Sequence, residues 1–114
     1  MKNLILNADD FGMSEGVNEG IIRAHREGIL TSTTLMARAG ATSEAIDLGI
    51  ARRSLGVGCH VVLVDGEPVL TPSRIPTLVD RKTGCFPPKL TTFLARLFSG
   101  RIAAEQIDTT LKVL

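Results

Sequence analysis

The feature that most constrains the fold is an alternation of hydrophobic period along the first half of the chain. Apolar or β-branched runs over Lys2–Ala8, Ile29–Ala37 and Leu55–Leu63 are separated by stretches with helical spacing, and the joints between them are short. Strand, helix, strand, helix, strand with short joints is the pattern of consecutive βαβ units, whose crossovers are right-handed and whose strands are therefore parallel. The predicted class is α/β. All strand C-termini then lie on one side, where ligands collect in open sheets and barrels of this class.

Local signals agree with this order. Ser14 is placed to cap a helix over about residues 15–27, in which Val17, Ile21 and Ala24 share a face and Gly28 stops the run. Gly40 and Thr42 open a second helix, with Ala41, Ala45, Leu48, Ile46 and Gly49 as its buried stripe. From Val64 to Pro88 the texture changes to a long Pro/Gly-rich loop (64–88), and beyond it Leu90, Phe93, Leu94, Leu97 and then Ile102, Ile107, Leu111, Leu114 form two helical stripes divided by Ser99-Gly100. Three parallel strands cannot close a barrel, so residues 1–114 read as a single incomplete domain with unpaired sheet edges, a surface through which a homodimer could form.

Composition excludes several function classes. With 114 residues and 44% hydrophobic content the chain suffices for one small core. A formal net charge of +1, from 13 basic and 12 acidic residues without like-charge runs, gives no basis for binding a nucleic acid or an anionic membrane. The start enters a strand-like pattern without a signal-peptide h-region, and no apolar run approaches the roughly 20 residues of a membrane span, so the expected location is cytoplasmic. Cys59 and Cys85 lack C-x-x-C spacing and read as reduced structural thiols. Strand alternation turns Cys59 away from whatever face His60 looks onto, which makes it a packing residue.

The chemistry concentrates at Asp9, Asp10 and His60. An apolar strand ending in two adjacent carboxylates requires them to share a metal, a proton or hydrogen-bond donors, because an ionised carboxylate without a partner is costly to bury. Asn7 is near enough to orient either one. His60 lies in Gly56-Val57-Gly58-Cys59-His60-Val61, at the later part of the third strand, and the topology brings it towards the same end as the acid pair. Aspartate, histidine and water make a sound divalent-metal site. His25, beside Arg26 and Glu27, belongs by pattern to a solvated helix face. Asp10-Phe11-Gly12 spells a kinase metal motif, but only nine residues precede Asp10 and the other kinase elements are missing. Gly56-Val57-Gly58 begins like a dinucleotide fingerprint, yet Val61 holds the third glycine's place.

Asn7-Ala8-Asp9-Asp10-Phe11-Gly12-Met13-Ser14 followed by Val17-Asn18-Glu19-Gly20-Ile21 closely resembles the YdjC-like (ChbG) carbohydrate deacetylase family. Gly28-Ile29-Leu30-Thr31-Ser32-Thr33-Thr34-Leu35-Met36 and Gly56-Val57-Gly58-Cys59-His60-Val61-Val62-Leu63 are similar to it as well. Val64-Asp65-Gly66, Ile75-Pro76-Thr77-Leu78-Val79-Asp80 and Gly84-Cys85-Phe86-Pro87 look most like its hopanoid-biosynthesis HpnK branch. The resemblance implies the N-terminal portion of a deformed (β/α) barrel, TIM-barrel-like, that removes an acetyl group from an N-acetylated sugar by metal-assisted amide hydrolysis. By position, Asp9 would be the catalytic carboxylate, Asp10 and His60 ligands of a divalent metal ion such as magnesium or zinc, and Thr33, among Thr31 to Thr34, a substrate-binding residue. A second metal-binding histidine and the general acid of the family lie beyond the matched positions, so the site is expected to be incomplete in this chain. A rival reading is a non-catalytic remnant that binds a sugar or a partner through its open sheet edge. A phosphoesterase fits less well, since no arginine or phosphate-cradling glycine loop sits beside the acid pair.

Overall fold

A computed structural model describes residues 3–114, and Lys2, assigned above to the first strand, lies outside them. The chain divides into two compact units, Met1–His60 and Val61–Leu114.

The first unit has the expected order: β1 (Asn7–Phe11), α1 (Glu15–Glu27), β2 (Ser32–Met36), α2 (Thr42–Ile50) and β3 (Gly56–His60). Its sheet runs β1-β2-β3, with both pairings parallel. The α/β class with parallel strands is thus what the sequence implied. Ser14 caps α1 by accepting the Val17 amide at 3.3 Å, and Gly28 ends it. A side chain at residue 28 would place its Cβ 2.7 Å from the Ala24 carbonyl oxygen, so the helix stop tolerates only glycine without rearrangement.

The strand boundaries correct the sequence reading. Leu4, Ile5 and Leu6, expected to be a strand covered on both faces, are exposed and precede β1. Helices cover a single face of the sheet: Phe11, Ile21, Ile22, Leu30, Ala45 and Leu55 form the core there, with Ala8, Val17, Leu35 and Leu48 packed against it. Ile46 is likewise exposed rather than part of the buried stripe of α2. Cys59, expected to be a packing residue, is exposed and free, because β3 is an edge strand.

The second unit holds a 3₁₀ turn at Pro72–Arg74, then α3 (Leu90–Phe98) and α4 (Ala104–Leu111). Gly100, at φ +70°, adopts the left-handed conformation between the two helices. The 64–88 stretch has little regular structure, as its prolines require, yet it is not a loose loop. Leu70, Ile75, Leu78, Val79 and Phe86 are buried with Phe93 and Ile102, so the segment supplies most of this unit's core. Apolar residues spaced without period between prolines give no helix or strand signal, but they bury area as effectively as regular elements do. Among the described residues no helix is long and apolar enough to cross a membrane.

Candidate active site

The acid pair does not sit in a loop beyond β1, as expected, but within the strand. Ala8 pairs with Thr33 and Phe11 with Leu35, so three steps along β1 match two along β2. The extra residue makes a β-bulge, with Asp9 and Asp10 together opposite the single residue Thr34. Asp10 takes φ +66°, a left-handed conformation that aspartate tolerates better than most residues. On a regular strand adjacent side chains would point to opposite faces. The bulge removes that rule and lets both carboxylates reach one polar cluster.

That cluster lies around Thr34 and His60. The Asp9 carboxylate accepts from the Asn7 amide at 2.9 Å and from the Thr34 hydroxyl at 2.8 Å, both on Oδ1. Ser32 Oγ donates to Asn7 Oδ1 at 2.9 Å, which fixes the amide that holds Asp9. Asn7 therefore does orient an acid, and the acid is Asp9. His60 Nδ1 lies 3.1 Å from Thr34 Oγ1 and 3.4 Å from the Asp10 amide. His60 Nε2 faces Asp10 Oδ1 at 3.6 Å. Asp9, Asp10 and His60 are thus brought together, with Thr34 between them. The Asp10 side chain is 44% exposed and that of His60 25%, so the pair is open to an incoming ligand.

Thr33, the other named position, is elsewhere. It is 1% exposed, and its hydroxyl donates to the Ala8 carbonyl at 2.8 Å, which ties β2 to β1. Among the described residues no group of three or more histidine, cysteine, aspartate or glutamate side chains is arranged to hold a metal ion. His25, expected on a solvated face, instead clamps the unit: Nδ1 donates to the Leu30 carbonyl at 2.8 Å, and Nε2 is hydrogen-bonded to Ser54 Oγ at 2.9 Å.

Two residues that the sequence pattern did not single out shape the site. Thr34 was hidden in a run of four hydroxyl residues, and only the strand register separates it from Thr33. Asn18 is fully buried on α1. Its Oδ1 accepts the Gly12 amide at 2.7 Å, while Nδ2 donates to the Ala41 carbonyl at 3.1 Å and to Glu44 Oε2 at 2.7 Å. It thereby pins the turn directly after the bulge to the start of α2. A polar residue three and four positions before Ile21 and Ile22 on the buried face was the available signal.

A profile of the YdjC-like protein family matches residues 3–113. The chain belongs to the YdjC-like family. A carbohydrate deacetylase of Geobacillus stearothermophilus is 39% identical over 116 residues, covering 92% of this chain and 47% of the relative. One of Brevibacillus brevis is 51% identical over 77 residues (68% of this chain, 30% of the relative). A chitooligosaccharide deacetylase of Klebsiella pneumoniae is 52% identical over 66 residues (58% and 26%). Among solved structures, an Enterococcus faecalis chain described as a cellobiose-phosphate cleavage protein superposes with a TM-score of 0.77 at 33% identity, covering 90% of this chain and 38% of that one. The chain thus spans a quarter to about half of the length of these curated relatives.

Proposed function

We propose that this chain carries part of the site of a metal-dependent carbohydrate N-deacetylase acting on an N-acetylated sugar. The observation that supports this most directly is the bulge that turns Asp9 and Asp10 onto one cluster with His60 in a chain of the YdjC-like family. We read the fold as the N-terminal portion of a deformed barrel, closest to the hopanoid-biosynthesis HpnK branch.

The donor set fits a divalent ion in part. Two ligands of one ion, each at roughly 2.0–2.2 Å, lie about 3.0–3.5 Å apart, and Asp10 Oδ1 and His60 Nε2 are 3.6 Å apart. An imidazole with one carboxylate suits zinc, and the carboxylate also accommodates magnesium. Asp10 and His60 would hold the ion, and further ligands would come from outside this pair. When bound, a divalent ion polarises an acyl oxygen and lowers the pKa of an attacking water. Asp9 then acts as the base. Asn7 and Thr34 hold its Oδ1, so the carboxylate is oriented and Oδ2 is the oxygen left to take the proton.

Acetate release from N-acetylated chitooligosaccharides tests this, using a chimera in which the chain replaces the matching segment of the Geobacillus stearothermophilus deacetylase. The expected result is divalent-ion-dependent release that falls by about 10²-fold or more in Asp9→Asn and is lost in Asp10→Ala and His60→Ala. Release indifferent to all three substitutions would overturn the assignment. A homodimer through the edge strands β1 and β3 is part of the same proposal, and light scattering with and without metal reads it out. A metal-insensitive monomer would refute that part.

A further inference from the structure

We propose that the second unit carries a binding site for a phosphate group, a cavity in which the guanidinium groups of Arg81, Arg96 and Arg101 and the ammonium of Lys82 receive the dianion of a small phosphorylated molecule or of phosphate itself. The inference stands apart from the metal-site reading: the cavity shares no residue with the Asp9, Asp10 and His60 cluster, and its test uses no metal ion.

The cavity measures about 380 Å³, and those four cations line it with a single carboxylate, Asp80. Pockets for small ligands typically span roughly 300–1,000 Å³. Asp80 does not neutralise the cations around it. Its Oδ1 accepts the Lys82 and Thr83 amides at 2.9 and 3.2 Å, and among the described residues no ion pair joins it to any of the four. Arg96 is anchored, donating from Nη1 to the Val79 carbonyl at 3.3 Å, with the rest of its guanidinium fork unused. The side chains of Arg81, Lys82 and Arg101 make no hydrogen bond or ion pair among the described residues. Unbalanced positive charge in one concavity is unfavourable until an anion enters it. Forked guanidinium donors match phosphate, which brings a second charge and a third acceptor oxygen that a carboxylate lacks. A concave site of this volume takes one phosphate group and a small residue attached to it. An RNA or a membrane surface calls instead for an extended basic stripe, and a chain of formal net charge +1 without like-charge runs has none.

Local backbone bonding explains why the cations converge. Arg81 and Lys82 follow Asp80 in a turn closed by two bonds of 2.8 Å, from the Gly84 amide to the Asp80 carbonyl and from the Asp80 amide to the Cys85 carbonyl. Arg96 lies in the last turn of α3, and Arg101 follows Gly100. Gly100 reverses the chain at φ +70°; its amide donates to the Leu97 carbonyl at 3.1 Å and the Arg101 amide to the Arg96 carbonyl at 2.9 Å, the two bonds of a Schellman close. Arg101 is thereby folded back towards Arg96. The same bonds satisfy two helix-end carbonyls whose negative ends would otherwise oppose an anion.

Isothermal titration calorimetry of the 114-residue chain with inorganic phosphate and with glucose 6-phosphate tests the proposal, at about pH 8, where both are largely dianions. One equivalent should bind. Arg81→Gln and Arg101→Gln should each weaken binding at least about fivefold, the scale of one charge-assisted hydrogen bond discounted for solvent. Arg26→Gln, the same charge change on an exposed position of α1, should stay within about twofold of the wild type. Arg81 and Arg101 are exposed and their side chains hold no other group, so thermal unfolding of both variants should match the wild type, and Lys82→Gln replaces either one that fails to fold. Tighter binding of glucose 6-phosphate assigns the site to a phosphomonoester and equal binding assigns it to the phosphate ion; both sustain it. Failure to bind either anion overturns the proposal. So does an equal loss in Arg26→Gln, which marks unspecific charge attraction, or acetate bound as tightly as phosphate. Binding of a single-stranded RNA or of phosphatidylserine vesicles without binding of phosphate overturns it in favour of an extended polyanion.

Discussion

Asn18 offers the sharpest test of how the fold holds the bulge in place. It is fully buried and makes three hydrogen bonds, accepting from Gly12 and donating to Ala41 and Glu44. Asn18→Ala leaves the Gly12 amide without a partner, while the Ala41 carbonyl still accepts the Ala45 amide at 3.1 Å, and a buried orphan costs about 1–3 kcal/mol. A loss of about 1–3 kcal/mol follows, a sizeable share of the roughly 5–15 kcal/mol that a small domain has in total. With a urea m-value of about 1–1.5 kcal/mol/M for a chain of this size, the unfolding midpoint should fall by about 0.7–3 M. Asn18→Asp separates hydrogen bonding from shape. It keeps an acceptor for Gly12, but its second oxygen faces the Ala41 carbonyl and Glu44 Oε2, so at neutral pH it should destabilise at least as much as alanine. Adding Glu44→Gln restores a donor in that position and should recover part of the loss. Urea titration followed by circular dichroism, with amide exchange at Gly12, measures both effects. A loss under about 1 kcal/mol in Asn18→Ala, with Gly12 exchange unchanged, would show that the amide does not hold the turn.

Gly12→Ala should also destabilise, by about 1–3 kcal/mol, because residue 12 sits at φ +99° and a Cβ there would lie 3.2 Å from Thr42 Cα; thermal unfolding checks it, and an unchanged midpoint would refute the steric reasoning. In the second unit, Asp80 Oδ1 accepts from the Lys82 and Thr83 amides at 2.9 and 3.2 Å. These bonds hold its carboxyl below the ordinary value of 3.8, with smaller help from Arg96 and Lys82. A lowered folded-state value means the stabilisation is present above the unfolded value and is lost as pH falls through the folded one. The stability advantage of the wild type over Asp80→Asn should therefore be constant near neutrality and vanish in strong acid; a difference that persists unchanged at low pH would exclude the carboxylate as its source.

Much of the first unit was legible in the chain. Hydrophobic period, the Ser14 cap and the Gly28 stop are local signals, and they placed α1 at the residues observed. Short joints between strand-like runs required parallel crossovers, and those alone directed Asp9, Asp10 and His60 towards one end of the sheet. The second unit was less legible. Its core comes from Leu70, Ile75, Leu78, Val79 and Phe86, whose irregular spacing among prolines carries no periodic signal.

The sequence by itself determined the element order, the parallel sheet and the presence of an acid pair near a histidine. Only the tertiary structure decided how those groups meet. Which face a strand residue occupies depends on its register against a neighbour distant in sequence, and a single inserted residue changes it. The bulge at Asp9 and Asp10 is such an insertion, visible only once β1 is aligned on β2. It turned two adjacent carboxylates onto one cluster and put Thr34 rather than Thr33 between them and His60.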